Sequence, residues 1–275
     1  MLWDANDSSA REFYSKQLLL PEVGLSGQSA LLESSVLLVG AGGLAAPILS
    51  YLAAAGVGRI VVLDSDAIEL SNLPRQFLFR FDDVGKSKVD VAVSRLRGVP
   101  PGTVIESYAE RLTPENAAHF LGGITVAIDA SDNFGTRFLL NDACRLAGIP
   151  WVHGAVTRFS GLLSTFLKEG PCYRCFFPEP PTSGRIPACG DAGVLGPAVG
   201  VVGSWQALEA IKICLGKLDA TLSGRVMSVD LWTSQVEFLT LPRDGACLLC
   251  GDRPEIVSVD LDERSYRGSW GGALV

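Results

Sequence analysis

Two cysteine pairs, Cys172-Tyr173-Arg174-Cys175 and Cys247-Leu248-Leu249-Cys250, each put two thiols on one tight turn. Four thiolates suit tetrahedral Zn²⁺. With no ligand position left open, that metal would be structural, a pair of knuckles joining the start of the last third of the chain to its end. The insertion between the pairs is longer than in compact zinc ribbons, so buried structural or redox cysteines are the bland alternative. Cys144 and Cys214 fall on predicted helices and read as core residues. Cys189, in Ile186-Pro187-Ala188-Cys189-Gly190-Asp191, follows a proline-rich stretch and reads as an accessible thiol. His119 and His153 read as packing or hydrogen-bonding residues, and no role is assigned to either.

A second set of residues suits a nucleotide. Gly40-Ala41-Gly42-Gly43-Leu44-Ala45 fits G-x-G-x-x-A between an apolar strand and a helix, where small residues let backbone N–H groups approach phosphate at the positive end of the helix dipole. Asp64 ends the next strand, where a carboxylate can hold ribose hydroxyls. Such a turn serves a dinucleotide dehydrogenase as well as a mononucleotide enzyme, or only tight packing. The stretches that follow shift the balance. Arg75 and Lys88 bring two cations toward the glycine turn, which suits a triphosphate, and Asp132, just past a strand end, can hold Mg²⁺ on phosphate oxygens. Each residue alone reads as a solvated surface charge; their recurrence at strand ends does not. A nicotinamide-dependent oxidoreductase leaves all three unexplained.

The phrases Gly40-Ala-Gly-Gly-Leu44, Ala55-Gly-Val-Gly58, Asp64-Ser-Asp66, Ser71-Asn-Leu-Pro-Arg-Gln76 and Ser131-Asp-Asn133 resemble the ubiquitin-activating enzyme superfamily, in particular its bacterial molybdopterin-synthase and thiamine-biosynthesis adenylyltransferases. The likeness runs from about Phe13 to Gly251. It implies a nucleotide site in which Gly40, Gly42 and Gly43 form the phosphate turn. Asp64, with Asp66 beside it, would contact ribose, Asn72, Arg75, Gln76 and Lys88 the phosphates, and Asp132 the magnesium. The family often carries a four-cysteine zinc at positions matching Cys172, Cys175, Cys247 and Cys250, and a cysteine matching Cys189 that accepts the activated acyl group or takes part in sulfur transfer. Two departures stand out. Ala45 replaces a frequent glycine, and Phe13-Tyr14-Ser15-Lys16-Gln17 replaces Arg-Tyr-x-Arg-Gln, so Lys16 stands where the family's arginine reaches into the partner subunit's ATP site. Lys16 keeps the charge without the bidentate fork.

The resemblance implies ATP-dependent adenylation of the C-terminal glycine of a ubiquitin-like sulfur-carrier protein ending in Gly-Gly, with a separate sulfur donor protein completing a thiocarboxylate and a homodimer as the working form. Adenylation of a short peptide or a tRNA nucleoside is the alternative within the same chemistry. A docking partner without catalysis is another, hinted at by Lys16 and Ala45.

These residues need a frame. Val36-Leu37-Leu38-Val39 and Ile60-Val61-Val62-Leu63 are short continuous apolar runs of the kind buried on both faces of a parallel sheet, with a helix from about Leu44 to Ala55 between them. Further strands are predicted at 103–108, 124–129 and 151–155, and helices at 87–96, 114–121 and 138–146, with Thr113 as N-cap and Pro114 in the first helical position. The alternation predicts an α/β fold, a Rossmann-like doubly wound, mostly parallel sheet. From Gly161 the rhythm changes: runs at 162–167, 225–230 and 236–241, with one long helix near 198–215, predict antiparallel additions in the C-terminal half. A polar-to-apolar stretch from Arg11 to Leu20, stopped by Pro21, predicts a short docking helix. The chain therefore reads as one domain, with a docking segment at 11–30, a nucleotide-binding part at 35–155 and a zinc-stapled carrier-binding part at 161–251.

Composition sets the outer limits. With 275 residues, 48% hydrophobic, the chain can bury one large core. A net charge of -7 argues against a phosphate-tracking nucleic-acid surface. The apolar stretch from Val194 to Leu215 is interrupted by glycines, Glu209 and Lys212 and reads as a core helix, not a membrane span. Asp4 and Asp7 near the start, with no basic segment leading into an apolar run, predict a cytoplasmic chain, where seven cysteines favour metal or thiol chemistry over disulfides.

Overall fold

The computed structural model describes residues 8–98, 102–180, 193–260 and 266. Two short helices, α1 (Ser8–Phe13) and α2 (Ser15–Leu18), lead into α3 (Gly24–Glu33). The helix expected over 11–20 thus breaks at Tyr14, whose ring is buried while Phe13, Leu19 and Leu20 stay exposed. Then come β1 (Ser35–Val39), α4 (Ala45–Ala55), β2 (Arg59–Leu63), α5 (Lys88–Arg95), β3 (Val104–Tyr108), α6 (Ala117–Leu121), β4 (Val126–Asp129), α7 (Phe134–Ala147) and β5 (Trp151–Thr157). The second half holds β6 (Ser160–Phe166), α8 (Tyr173–Phe176), α9 (Gly196–Cys214), β7 (Arg225–Asp230) and β8 (Gln235–Thr240).

The eight strands among the described residues form one sheet in the order β3-β2-β1-β4-β5-β6-β7-β8. Pairs from β3 to β5 are parallel, and those from β5 to β8 are antiparallel. The expected mixed architecture is the one observed. Among the described residues β8 ends the order, with β7 on one side only and all six of its residues exposed.

Alternation along the parallel strands feeds two cores. Val36, Leu38, Ile60 and Val62 face α4, α5 and α9, while Leu37, Val39, Val61 and Leu63 face α6 and α7. All are 4% exposed or less. Sealing both faces is why these strands read as unbroken apolar runs. Truncating one, for example Leu38→Ala, should cost about 2–5 kcal/mol because the cavity cannot collapse between a sheet and a packed helix.

Register matters most at the C-terminal ends of the parallel strands. Tyr108 pairs with Leu63, Leu63 with Val39 and Val39 with Asp129, so β3, β2, β1 and β4 end level, while β5, paired to Asp129 at His153, runs on to Thr157. Residues just beyond that line share one rim, the usual ligand edge of such sheets.

Two helix starts differ from expectation. Residues 114–116 form a turn and α6 begins at Ala117, because Asn116 Oδ1 accepts Thr113 N at 2.8 Å and closes a local loop first. α7 begins at Phe134, a turn earlier than the apolar periodicity implies, because the Asn133 side chain caps it by accepting Thr136 N at 2.8 Å.

Candidate nucleotide site and cysteine cluster

The glycine turn is held from three sides. Gly40 N donates to Leu63 O at 2.8 Å, and Ala41 N donates to Asp64 Oδ2 at 2.7 Å. Gly40 adopts φ +102°, and a Cβ there would stand 2.6 Å from Ala130 O, so no other residue fits. On the outer side, a Cβ on Gly43 would meet Val199 of α9 at 2.9 Å and Arg75 O at 3.1 Å. The 72–76 segment is wedged between this turn and the start of α9, where a Cβ on Gly196 would meet Pro74 O at 2.6 Å. Backbone proximity thus delivers Arg75 and Gln76 to the turn.

Gln76 is 4% exposed and its Oε1 has no hydrogen-bond partner among the described residues, while a Cβ on Gly42 would lie 3.6 Å from its Nε2. The Nε2 end of that amide is a donor beside a cradle that any Cβ on Gly42 would narrow, which suits an acceptor ligand such as phosphate. Asn72, also buried, uses its Oδ1 to accept Glu69 N at 3.1 Å, which shapes the short 3₁₀ turn carrying the segment. Arg75 donates to Ser71 O at 2.8 Å and is half-buried.

Across the rim, Lys88 is the first residue of α5, capped by Ser87. Its Nζ lies 2.7 Å from Asp66 Oδ2, with the lysine side chain 9% exposed. Asp64 accepts Asp66 N at 2.8 Å through Oδ1. Burial raises the Asp64 carboxyl above the usual carboxylate range, opposed by Lys88 and by the N–H groups of Ala41 and Asp66. Asp132, two residues beyond Ala130, is exposed on the same rim. Lys16 lies elsewhere. Its neighbours Tyr14 and Gln17 dock at the C-terminal end of α4, where Gln17 Nε2 donates to Gln28 Oε1 at 2.8 Å and to Ala55 O at 3.2 Å. The glycine turn is at the other end of that helix, about 16 Å away for its 11 residues.

Behind the rim is a buried set of which the sequence showed only His153, read as a packing or hydrogen-bonding residue. Asp129, fully buried, accepts Ser131 N at 3.0 Å and Ser131 Oγ at 2.5 Å on Oδ1, and contacts His153 Nδ1 at 2.9 Å and Arg137 Nε at 3.5 Å on Oδ2. Arg137 also donates to Ser131 O at 3.2 Å. These contacts fix the Ser131-Asp132 corner. Asp129's place at the end of a strand was the further hint of it.

The four cysteines come together as the spacing suggested. The Sγ atoms of Cys172, Cys175, Cys247 and Cys250 lie within 4.8 Å of one another, with Cys172 to Cys247 at 3.6 Å and Cys175 to Cys250 at 3.3 Å. Tetrahedral zinc with Zn–S near 2.3 Å needs sulfur atoms about 3.8 Å apart, so the donor set fits. Asp244 N donates to Cys175 Sγ at 3.4 Å and Cys250 N to Cys247 Sγ at 3.5 Å, contacts that suit thiolate. The hydrogen bond from Cys172 pushes Cys175 down to about 4, while the same bond and burial raise Cys172. Cys144 and Cys214 are buried core thiols, raised by burial. Cys189 lies outside the described residues.

Comparison with known proteins gives a consistent picture. The ThiF family matches residues 14–249. The chain is 46% identical over 247 residues to the sulfur carrier protein adenylyltransferase of Thermus thermophilus, covering 88% of this chain and 91% of that one. It is 45% identical over 246 residues to the SAMP-activating enzyme E1 of Haloferax volcanii, covering 90% and 91%. Among solved structures, E. coli MccB superposes with a TM-score of 0.77 at 20% identity, over 90% of this chain and 75% of that one, a likeness of fold alone.

Proposed function

The chain belongs to the ThiF family, and from that premise we propose that it uses ATP to adenylate the C-terminal glycine of a ubiquitin-like sulfur-carrier protein. The observation that carries this reading is the wedge of residues 72–76 between the glycine turn and α9, which gathers Arg75 and Gln76 onto the phosphate cradle while Lys88, Asp64 and Asp132 stand on the same rim. Relatives of near-equal length that bear the names of carrier-activating enzymes support it.

In this reaction the carrier's terminal carboxylate attacks the α-phosphate of ATP and pyrophosphate leaves, giving an acyl adenylate. A carboxylate is already a competent nucleophile, so no general base is required; alignment and charge neutralisation do the work. Backbone N–H groups of the Gly40–Gly43 turn, with Asn72 and Gln76, hold phosphate oxygens, and Asp64 with Asp66 orients the ribose. Lys88 rests on Asp66 until phosphate oxygens share its ammonium. Arg75 neutralises charge that builds on the leaving group. Magnesium, which Asp132 would hold, would supply further charge neutralisation. Zinc in the Cys172, Cys175, Cys247, Cys250 cluster would be structural. A Gly-Gly tail suits a narrow entry because it lacks side chains. The adenylate then goes to a separate sulfur donor protein, with Cys189 as the chain's own candidate thiol.

We read the working form as a cytoplasmic homodimer. α4 and α9 present an open apolar groove of about 750 Å³ lined by Pro47, Tyr51, Phe77, Pro197, Val201 and Leu208. Tyr51 and Phe77 are 57% and 62% exposed. A second copy would cover them, and it would let Lys16, remote from the nucleotide turn of its own chain, serve the neighbour's. Among the described residues no helix is long and apolar enough to cross a membrane.

The test is ATP–pyrophosphate exchange, expected only when a carrier ending in Gly-Gly is added. Asp132→Ala or Arg75→Ala should lower it about a hundredfold, the scale of losing a main electrostatic contact to a transition state. Reduction of a nicotinamide cofactor without exchange would overturn the reading in favour of an oxidoreductase.

A further inference from the structure

The two residues inside the first cysteine knuckle do not face solvent. Arg174 Nε donates to Asp142 Oδ1 at 2.8 Å and Arg174 Nη2 to Asp142 Oδ2 at 2.7 Å, a two-pronged pair with Arg174 9% and Asp142 0% exposed. The guanidinium lies 4.9 Å over the Phe138 ring. Tyr173 N donates to Asn141 Oδ1 at 2.8 Å, and Asn141 Nδ2 to Asp142 Oδ1 at 3.0 Å. Asn141, Asp142 and Phe138 all belong to α7, and α7 begins at its cap Asn133, next to Asp132.

Stability alone does not explain the pair. A buried ion pair can often be exchanged for packed apolar residues at no loss, because the charges forfeit their hydration. What a fork-shaped guanidinium on a carboxylate supplies and two methyl-rich side chains do not is a fixed register in both translation and rotation. A helix is stiff along its axis, so fixing α7 at Asp142 fixes its N-terminus about 12 Å away.

We infer that Arg174 is a positioning residue that ties the cysteine cluster, through Asp142 and α7, to the corner bearing Asp132. The inference rests on the adenylation reading for its effect on magnesium, and it has a consequence that does not depend on that reading. Arg174→Lys in the full chain keeps the charge and removes the fork. Its zinc content should match wild type, and the backbone amides of residues 131–136 should exchange with deuterium about tenfold faster. In ATP–pyrophosphate exchange the magnesium concentration for half-maximal rate should rise about tenfold, with the KM for carrier within about twofold of wild type. Unchanged amide exchange and magnesium dependence would overturn the inference, as would zinc loss in proportion to those changes.

The double variant Arg174→Met with Asp142→Leu guards against a variant that merely folds poorly. A restored melting temperature with amides still fast supports a register role; restored slow exchange would reduce the pair to packing. Wild-type protein without ATP–pyrophosphate exchange would sink the adenylation reading and leave the amide measurement to decide this one.

Discussion

His153 Nδ1 stands 2.9 Å from Asp129 Oδ2, with both side chains buried at the level where four parallel strands end. Asp129 in turn anchors Ser131, the residue before Asp132. Burial lowers the pKa of His153; the Asp129 hydrogen bond and charge oppose that shift, and Arg137 adds to it. The folded value lies below the unfolded value of about 6.5. As pH falls, the unfolded chain takes up the proton first, so this contribution is fully present above about pH 6.5 and is lost as pH falls toward the folded pKa. Urea midpoints should drop on acidification from about pH 7, and His153→Gln should flatten that slope. An identical slope in the variant would remove His153 as its source.

The cysteine cluster should carry about one zinc per chain. Cys172→Ser or Cys250→Ser should lower the melting temperature, because an incomplete ligand set weakens a metal whose binding energy is folding energy. At temperatures where the variants stay folded, ATP affinity should hold within about threefold, since none of the four thiols touches the nucleotide rim. Elemental analysis decides the first part. Metal-free, folded protein with four titratable thiols would contradict it.

Lys16→Ala should slow adenylation about fivefold, the effect of one exposed charge on a highly charged ligand. Dimers mixing a Lys16→Ala subunit with an Asp132→Ala subunit should regain activity, because one of the two sites then has Asp132 intact and receives Lys16 from across the interface. Mixed dimers no more active than their parents would place Lys16 outside the site.

Cys189→Ser separates two half-reactions. Adenylation needs no thiol, so pyrophosphate exchange should stay within about threefold of wild type. A serine hydroxyl is protonated at neutral pH, whereas a thiol with a pKa of about 8.5 is partly thiolate and far more nucleophilic. The variant should therefore stall at the adenylate and make little thiocarboxylate, read by mass spectrometry of the carrier. Equal yields would make Cys189 a bystander.

What could be read from the sequence was what repeats locally. Val36 to Val39 and Ile60 to Leu63 announce buried parallel strands because both faces are sealed, and the two C-x₂-C pairs announce a common metal because ligand spacing is set within one turn. α3 escaped because Gly24-Leu25-Ser26-Gly27 carries two glycines and offers no side-chain cap, so its helix is made by packing rather than propensity. His153 could be read as a packing or hydrogen-bonding residue, but its partner Asp129 and the neighbouring Arg137 escaped because partners separated in sequence meet only once the register is known. Lys88 could be expected at the rim, but its resting contact with Asp66 depends on a turn between β2 and α5 that no local pattern encodes.

The exposed last strand has a consequence for handling the protein. Among the described residues nothing pairs with the outer side of β8, whose alternate residues there offer N–H and C=O groups as a template on which an extended chain can add. Its guards are shortness and the charge of Glu237 among Val236, Phe238 and Leu239. Removing that one carboxylate by substitution would turn the edge into a seed for intermolecular stacking while leaving the rim untouched.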